Sequence, residues 1–120
     1  MYKKLSIFAM LLIFISGFSF AQPRMMSPQE RAKNLQERLK LNDAQTQNVV
    51  QIYTKSDSVI SEKFNDGSLS QSDRFTFIRS AMDSTNAKIE ALLTNDQKTE
   101  FQKYLEERRS RFNRRNDNQN

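Results

Sequence analysis

Leu41-Asn42-Asp43-Ala44-Gln45 and, 52 positions later, Leu93-Thr94-Asn95-Asp96-Gln97 are two versions of one five-residue pattern: leucine, a capping residue, two variable residues, glutamine. The side-chain oxygen of Asn42 or Thr94 can accept a hydrogen bond from a free backbone N–H at a helix start. A glutamine three residues on can reach back to the N–H of the capping residue, which closes a capping box. The leucine just before the cap is placed to tuck into the junction. The likeness continues at the same offset, with Val49 matching Phe101, Ile52 matching Tyr104 and Tyr53 matching Leu105. Each pattern therefore predicts a corner where one helix gives way to the next.

Outward from the corners, the chain divides into four helical segments. Ser27-Pro28-Gln29-Glu30 opens the first, with Ser27 as cap, Pro28 where its missing N–H costs nothing, and Glu30 closing a box. Its apolar stripe is thin: Ala32, Leu35 and Leu39. The second starts at Asn42 and carries Val49, Ile52, Tyr53, Ile60 and Phe64 at spacings near three and four, with Val50 and Val59 widening the stripe and Ser56 interrupting it. It ends at Asn65-Asp66-Gly67, where Gly67 is free to take a positive φ. The third starts at Ser70, and its seam of Phe75, Ile78, Met82, Thr85, Ile89 and Leu92 is heptad-like. The fourth starts at Thr94, with Phe101, Tyr104, Leu105 and Phe112 on its stripe and Arg108, Arg109, Arg111, Arg114 and Arg115 at its end. With so few glycines and prolines the fold class is all-α: about four helices in two helix–corner–helix units joined through Gly67, elongated in outline. The thin stripe of the first segment and the long seam of the third need more apolar surface than one copy supplies, so the chain is expected to form a homodimer.

The ends carry a different signal. Lys3 and Lys4 precede an apolar run from Leu5 to Phe20, and Ser19-Phe20-Ala21 sets small residues at the last and third-last positions before a cut. That is the layout of a secretory signal peptide over 1–21, and the run is short for a membrane span. The expected order is then a flexible N-terminus over 22–26, a helical domain over 27–112 and a disordered polar tail over 113–120. Of 120 residues, 19 are basic and 14 acidic, a formal charge of +5; loss of Lys3 and Lys4 with the leader lowers it to +3 (5 − 2). So mild an excess, in an exported chain, argues against a nucleic-acid partner. Stability cannot come from disulfides, because there is no cysteine, and the absence of histidine as well removes the usual zinc and copper ligands.

The paired pattern resembles the LTxxQ motif that defines the Spy/CpxP family of periplasmic proteins. Leu93 to Gln97 fits it at every fixed position, whereas the first copy has Asn42 in place of threonine. Asparagine caps a helix at least as well, so the departure leaves the structural role intact. In organisation the resemblance spans Ser27 to Arg111. It implies a hairpin-like protomer that pairs into a curved antiparallel dimer, working in the cell envelope as an ATP-independent chaperone for unfolding proteins. The alternative it implies is a stress-regulatory or structural adaptor binding one defined partner, such as a membrane sensor protein.

The motif residues are Leu41, Asn42, Gln45, Leu93, Thr94 and Gln97. A surface that holds unfolded chains needs apolar patches for weak contact and charge to attract and solubilise. Arg74, Phe75, Phe77, Arg79, Phe101, Tyr104, Arg108, Arg109 and Phe112 are the candidate client-binding residues on those grounds, and Phe77, off the seam of its segment, is the expected exposed aromatic. Catalysis is not expected: no histidine or cysteine can act as base or nucleophile, and the adjacent Glu106 and Glu107 diverge by about 100° on a helix. No metal or cofactor is expected, since Met25-Met26 could meet copper(I) only weakly and reads better as part of the N-terminal tail. The basic, aromatic end of the fourth segment suits a membrane surface, but Glu100, Glu106 and Glu107 on the same segment argue against it, and no membrane contact is expected after cleavage of the leader.

Overall fold

The computed structural model describes residues 26–118, so the expected leader, the tail before Met26 and the last two residues lie outside the described part. Four α-helices follow in order: α1 (Pro28–Leu39), α2 (Asp43–Phe64), α3 (Gln71–Glu90) and α4 (Asn95–Asp117). No strand occurs among the described residues, and none of their helices is long and apolar enough to cross a membrane.

Each helix begins at its expected cap. Ser27, Asn42, Ser70 and Thr94 all have extended backbone, and each side-chain oxygen accepts from the N–H three residues on. Glu30, Gln45 and Gln97 close boxes onto Ser27, Asn42 and Thr94. The helix ends are less regular. Lys40 stops α1 in the left-handed region (φ 55°), and the Leu41 N–H turns back to the Gln36 carbonyl at 3.1 Å. After α2 the turn differs from expectation: Gly67 does not take a positive φ. Asp66 builds the turn instead, its Oδ1 accepting from the Ser68 N–H at 2.9 Å and the Ser68 hydroxyl at 2.6 Å. Those two bonds hold the Asp66 carboxyl below the usual carboxylate range. At the other end of the chain, α4 continues through Asp117, past Asn113 where a disordered tail was expected to begin. Arginine at 114 and 115 faces the negative end of the helix dipole there, which favours the extra turn.

α1 packs on α2, α2 on α3, and α1 on α4. The core lies around the two corners. Ala32, Leu35, Leu39, Leu41, Val49, Tyr53, Ile89, Leu93 and Phe101 are buried together, edged by Val50, Ile52, Leu92, Tyr104 and Leu105. Leu41 and Leu93 are both inside it, as residues placed before a cap should be. Arg38 ties α1 to α4 by bonding Glu107 at 2.7 Å. That bond, with the opposite charge each partner brings, lowers the Glu107 carboxyl and raises the Arg38 guanidinium relative to their ordinary values.

Core packing gives out partway along the α2–α3 hairpin. The Thr85 hydroxyl, buried, bonds the Ser56 hydroxyl across the two helices at 2.8 Å and the Ala81 carboxyl-side carbonyl of its own helix at 2.8 Å. Ser56, an interruption in the stripe when read in isolation, is thus satisfied by a polar partner. Beyond this pair the seam of α3 is not buried as expected: Phe75 is 68% exposed and Met82 46% exposed. The reason is length. α1 has 12 residues and α2 has 22, spans of about 18 and 33 Å at the helical rise. With Arg31 in the first turn of α1 already level with Asp57 (2.6 Å), nothing on α1 reaches the last turns of α2.

Candidate functional site, an apolar groove held by a double corner

The two glutamines of the repeated pattern meet. Gln45 Nε2 donates to Gln97 Oε1 at 2.8 Å and to the Leu92 carbonyl at 2.9 Å. Gln97 Nε2 answers, donating to Gln45 Oε1 at 3.3 Å and to the Lys40 carbonyl at 3.4 Å. Each amide oxygen also accepts the N–H of its own cap, Asn42 or Thr94, at 3.0 Å. Both hydrogens of each amide are used, and each reaches the carbonyl just before the other corner's leucine. The two corners form one junction with near twofold internal symmetry, from which all four helices leave. Such a network is strong when every member is satisfied, as here.

The junction holds the α2–α3 hairpin against α1, and a groove of about 700 Å³ opens beside the start of α1, where its cover of the hairpin gives out. Ile60 and Phe64 of α2 and Ile78 and Met82 of α3 supply its apolar wall, Tyr53 and Thr85 lie toward the core, and Met26 and Pro28 border it at the start of α1. Met26, the last residue of the expected N-terminal tail, lies beside Asn34, whose amide nitrogen approaches its sulfur at 3.8 Å. Charge sits at the margin. Arg31 stacks over the Tyr53 ring (4.3 Å to the centroid) while bonding Asp57, and Arg108 of α4 reaches the same groove. Arg31 Nε is buried without a hydrogen-bond partner among the described residues. Burial pushes the Tyr53 phenol up to about 12, with the Arg108 and Arg31 charges opposing the shift. A second, shallower groove of about 630 Å³ runs along the other face of the hairpin, bounded by Ile52, Val59, Phe77, Ala81, Lys88 and Leu92.

The expected client-binding residues do not share one surface. Phe101 is a correction: it is 1% exposed and fills the core at the corner, so it cannot contact a client in the folded chain. Tyr104 is half-buried, stacked on Phe101 at 6.2 Å with Arg108 over its outer face. At the hairpin end the expected order of exposure is reversed: Phe75 is the open aromatic, and Phe77 is half-buried beneath Lys63 (5.6 Å). Arg74 covers Phe64 at 5.8 Å. Arg79, Arg109 and Phe112 are exposed, the last two on the far part of α4. Sequence reasoning placed Ile60, Phe64, Ile78 and Met82 on apolar stripes without showing which part of each stripe the chain's own helices cover. The difference in length between the first and second segments was the available signal that those stripes outrun their cover.

Comparison with protein-family models, with curated proteins and with solved structures found no match.

Proposed function

We propose that the chain is an exported, ATP-independent holding protein that keeps unfolding envelope proteins from aggregating by lodging their apolar segments in the groove at the open end of the α2–α3 hairpin. The carrying observation is that Ile60, Phe64, Ile78 and Met82 form an apolar wall left outside the protein's own core. Contiguous apolar surface of this kind marks interaction sites in soluble proteins. An open groove holds a client by contact area alone, so release needs no nucleotide. Arginines 74 and 108 beside it attract acidic stretches of a client and keep the complex soluble. The paired motif, the leader pattern over 1–21 and the absence of histidine and cysteine fit the same reading. In it the chain works in the periplasm after cleavage near Ala21, as a homodimer that extends the apolar surface beyond one copy.

A second reading is an adaptor with a single partner, such as a membrane sensor protein. The cation–π pairs Arg74–Phe64 and Lys63–Phe77 favour it, because they fix the shape of the hairpin end as a single specific partner would require. Aggregation assays on several unrelated unfolding proteins, without ATP and at equimolar chain, separate the two. Suppression across the set supports the holding protein. Failure on every one, with one protein recovered by pull-down from envelope extract, supports the adaptor.

A further inference from the structure

Beyond Arg108, which borders the groove, the far part of α4 is a cationic arm that lines no part of it. From Glu106 to Asn118 every residue is exposed. Five arginines lie there, at 108, 109, 111, 114 and 115, and none makes an ion pair with a carboxylate among the described residues. Arg108, Arg111, Phe112 and Arg115 are spaced i, i+3, i+4 and i+7, so they share one face of the helix. Phe112, 61% exposed, stands within that face between arginines. Two of the five acidic residues of α4 are engaged by basic side chains, and Glu106, at the root of the arm, has no ion pair among the described residues. Glu107 is held by Arg38 at 2.7 Å, and Glu100 lies between Arg38 (3.9 Å) and Lys103 (3.2 Å). Beyond Arg108 only Asp117 is acidic.

We infer that this arm docks the protein on an anionic phospholipid surface, with the arginines on the headgroups and Phe112 entering the boundary with the acyl chains. The shape of the site favours a lipid surface over a protein or another polyanion. The arm is a single exposed helix whose one depression is lined by α4 alone, with no second element to enclose a peptide, so its face fits a partner that is flat and extended. The aromatic ring amid the charges has no role toward a purely ionic partner, whereas basic faces with an embedded aromatic are suited to the membrane interface. Binding is peripheral, since a single ring and a charge cluster do not anchor a helix irreversibly. It leaves the apolar groove, lined mainly by other helices, open to clients next to the membrane.

The test is co-flotation of the mature chain with vesicles containing roughly one-third anionic phospholipid, against neutral phosphatidylcholine vesicles. The chain is expected to float with the anionic vesicles at about 20 mM salt and to be released at about 500 mM, where screening is short-ranged. Each arginine near the surface is expected to contribute about fivefold in affinity. R111Q/R115Q should therefore weaken binding by about twentyfold or more, and F112S should weaken it while keeping the full charge. All three positions are exposed, so circular dichroism and the urea midpoint should stay those of the parent. Ile60→Ser, in the groove, should leave flotation unchanged. Equal binding to neutral and anionic vesicles would overturn the inference, as would absence from both or full binding by R111Q/R115Q. So would an arm that fails on anionic vesicles yet carries an arginine-dependent affinity for an acidic unfolded protein, which would assign the arm to protein clients.

Discussion

Lys40 occupies a backbone region that costs a residue with a Cβ about 1 kcal/mol or more, and it does so because α1 must end within one residue of the leucine that enters the core. Lys40→Gly should raise stability by up to about 1 kcal/mol, less what glycine's freedom adds to the unfolded chain. A thermal melt that falls on this change would mean that the lysine side chain does something its backbone does not reveal. Gly67 presents the opposite case. Its φ is not positive, and a Cβ there would meet nothing within 4 Å. Gly67→Ala should stabilise by about 0.4–1 kcal/mol through the unfolded chain, while Asp66→Ala should destabilise the turn. Both are read from urea midpoints. Removing the Thr94 cap with Thr94→Ala should cost about 1 kcal/mol; an unchanged midpoint would deny that the hydroxyl caps α4. Tyr53 sets a limit at high pH. Its phenol stays protonated in the folded chain to about 12, whereas in the unfolded chain it ionises near pH 10. Below pH 10 both states hold the proton and stability is full. Between about 10 and 12 only the unfolded state has released it, so stability falls by up to about 1.4 kcal/mol per pH unit. Stability measured at pH 9 and 11 should show that loss, and Tyr53→Phe should reduce it.

The helices differ in how readable they were. All four starts were visible as short-range patterns, because a cap and its box are made within four residues. The ends were harder: at Lys40 no glycine announces the left-handed residue, and at Gly67 a glycine announces one that does not occur. Contacts between elements were the least visible. The pattern repeats at Gln45 and Gln97, yet nothing local says that the two amides bond each other across 52 residues. Periodicity identified the apolar face of α3 but not how far along it the cover extends, so Met82, on the seam, is 46% exposed; Phe101, on the stripe of the fourth segment and also a candidate for client contact, is buried. The Gln–Gln junction makes a specific claim about coupling between the corners. Gln45→Ala and Gln97→Ala each remove a box and a cross-corner bond, so the pair should be non-additive by about 0.5 kcal/mol or more in a double-mutant cycle. Simple additivity would mean that the corners cap their own helices independently.

Taken whole, the molecule is a packed junction with a half-covered hairpin and a cationic arm leaving it. Stability comes from the junction, where Leu35, Val49, Ile89 and Phe101 are fully buried. Leu35→Ala there should cost about 2–5 kcal/mol. The outer hairpin adds little to that core, and for the same reason its apolar wall can serve another chain. In the homodimer proposed above, part of the exposed seam of α3 is shared between copies; sedimentation at tens of micromolar should then give twice the protomer mass, and a monomer alone would confine the holding role to one copy's groove. The wall itself is open to a single comparison: the parent chain and Ile60→Ser/Met82→Ser, side by side in an ATP-free aggregation assay on a thermally unfolding protein. Both positions lie beyond the Ser56–Thr85 pair, so the double variant should keep the parent's helicity and lose most of its suppression of light scattering. If that folded variant suppressed aggregation as well as the parent does, the groove would not be where clients are held.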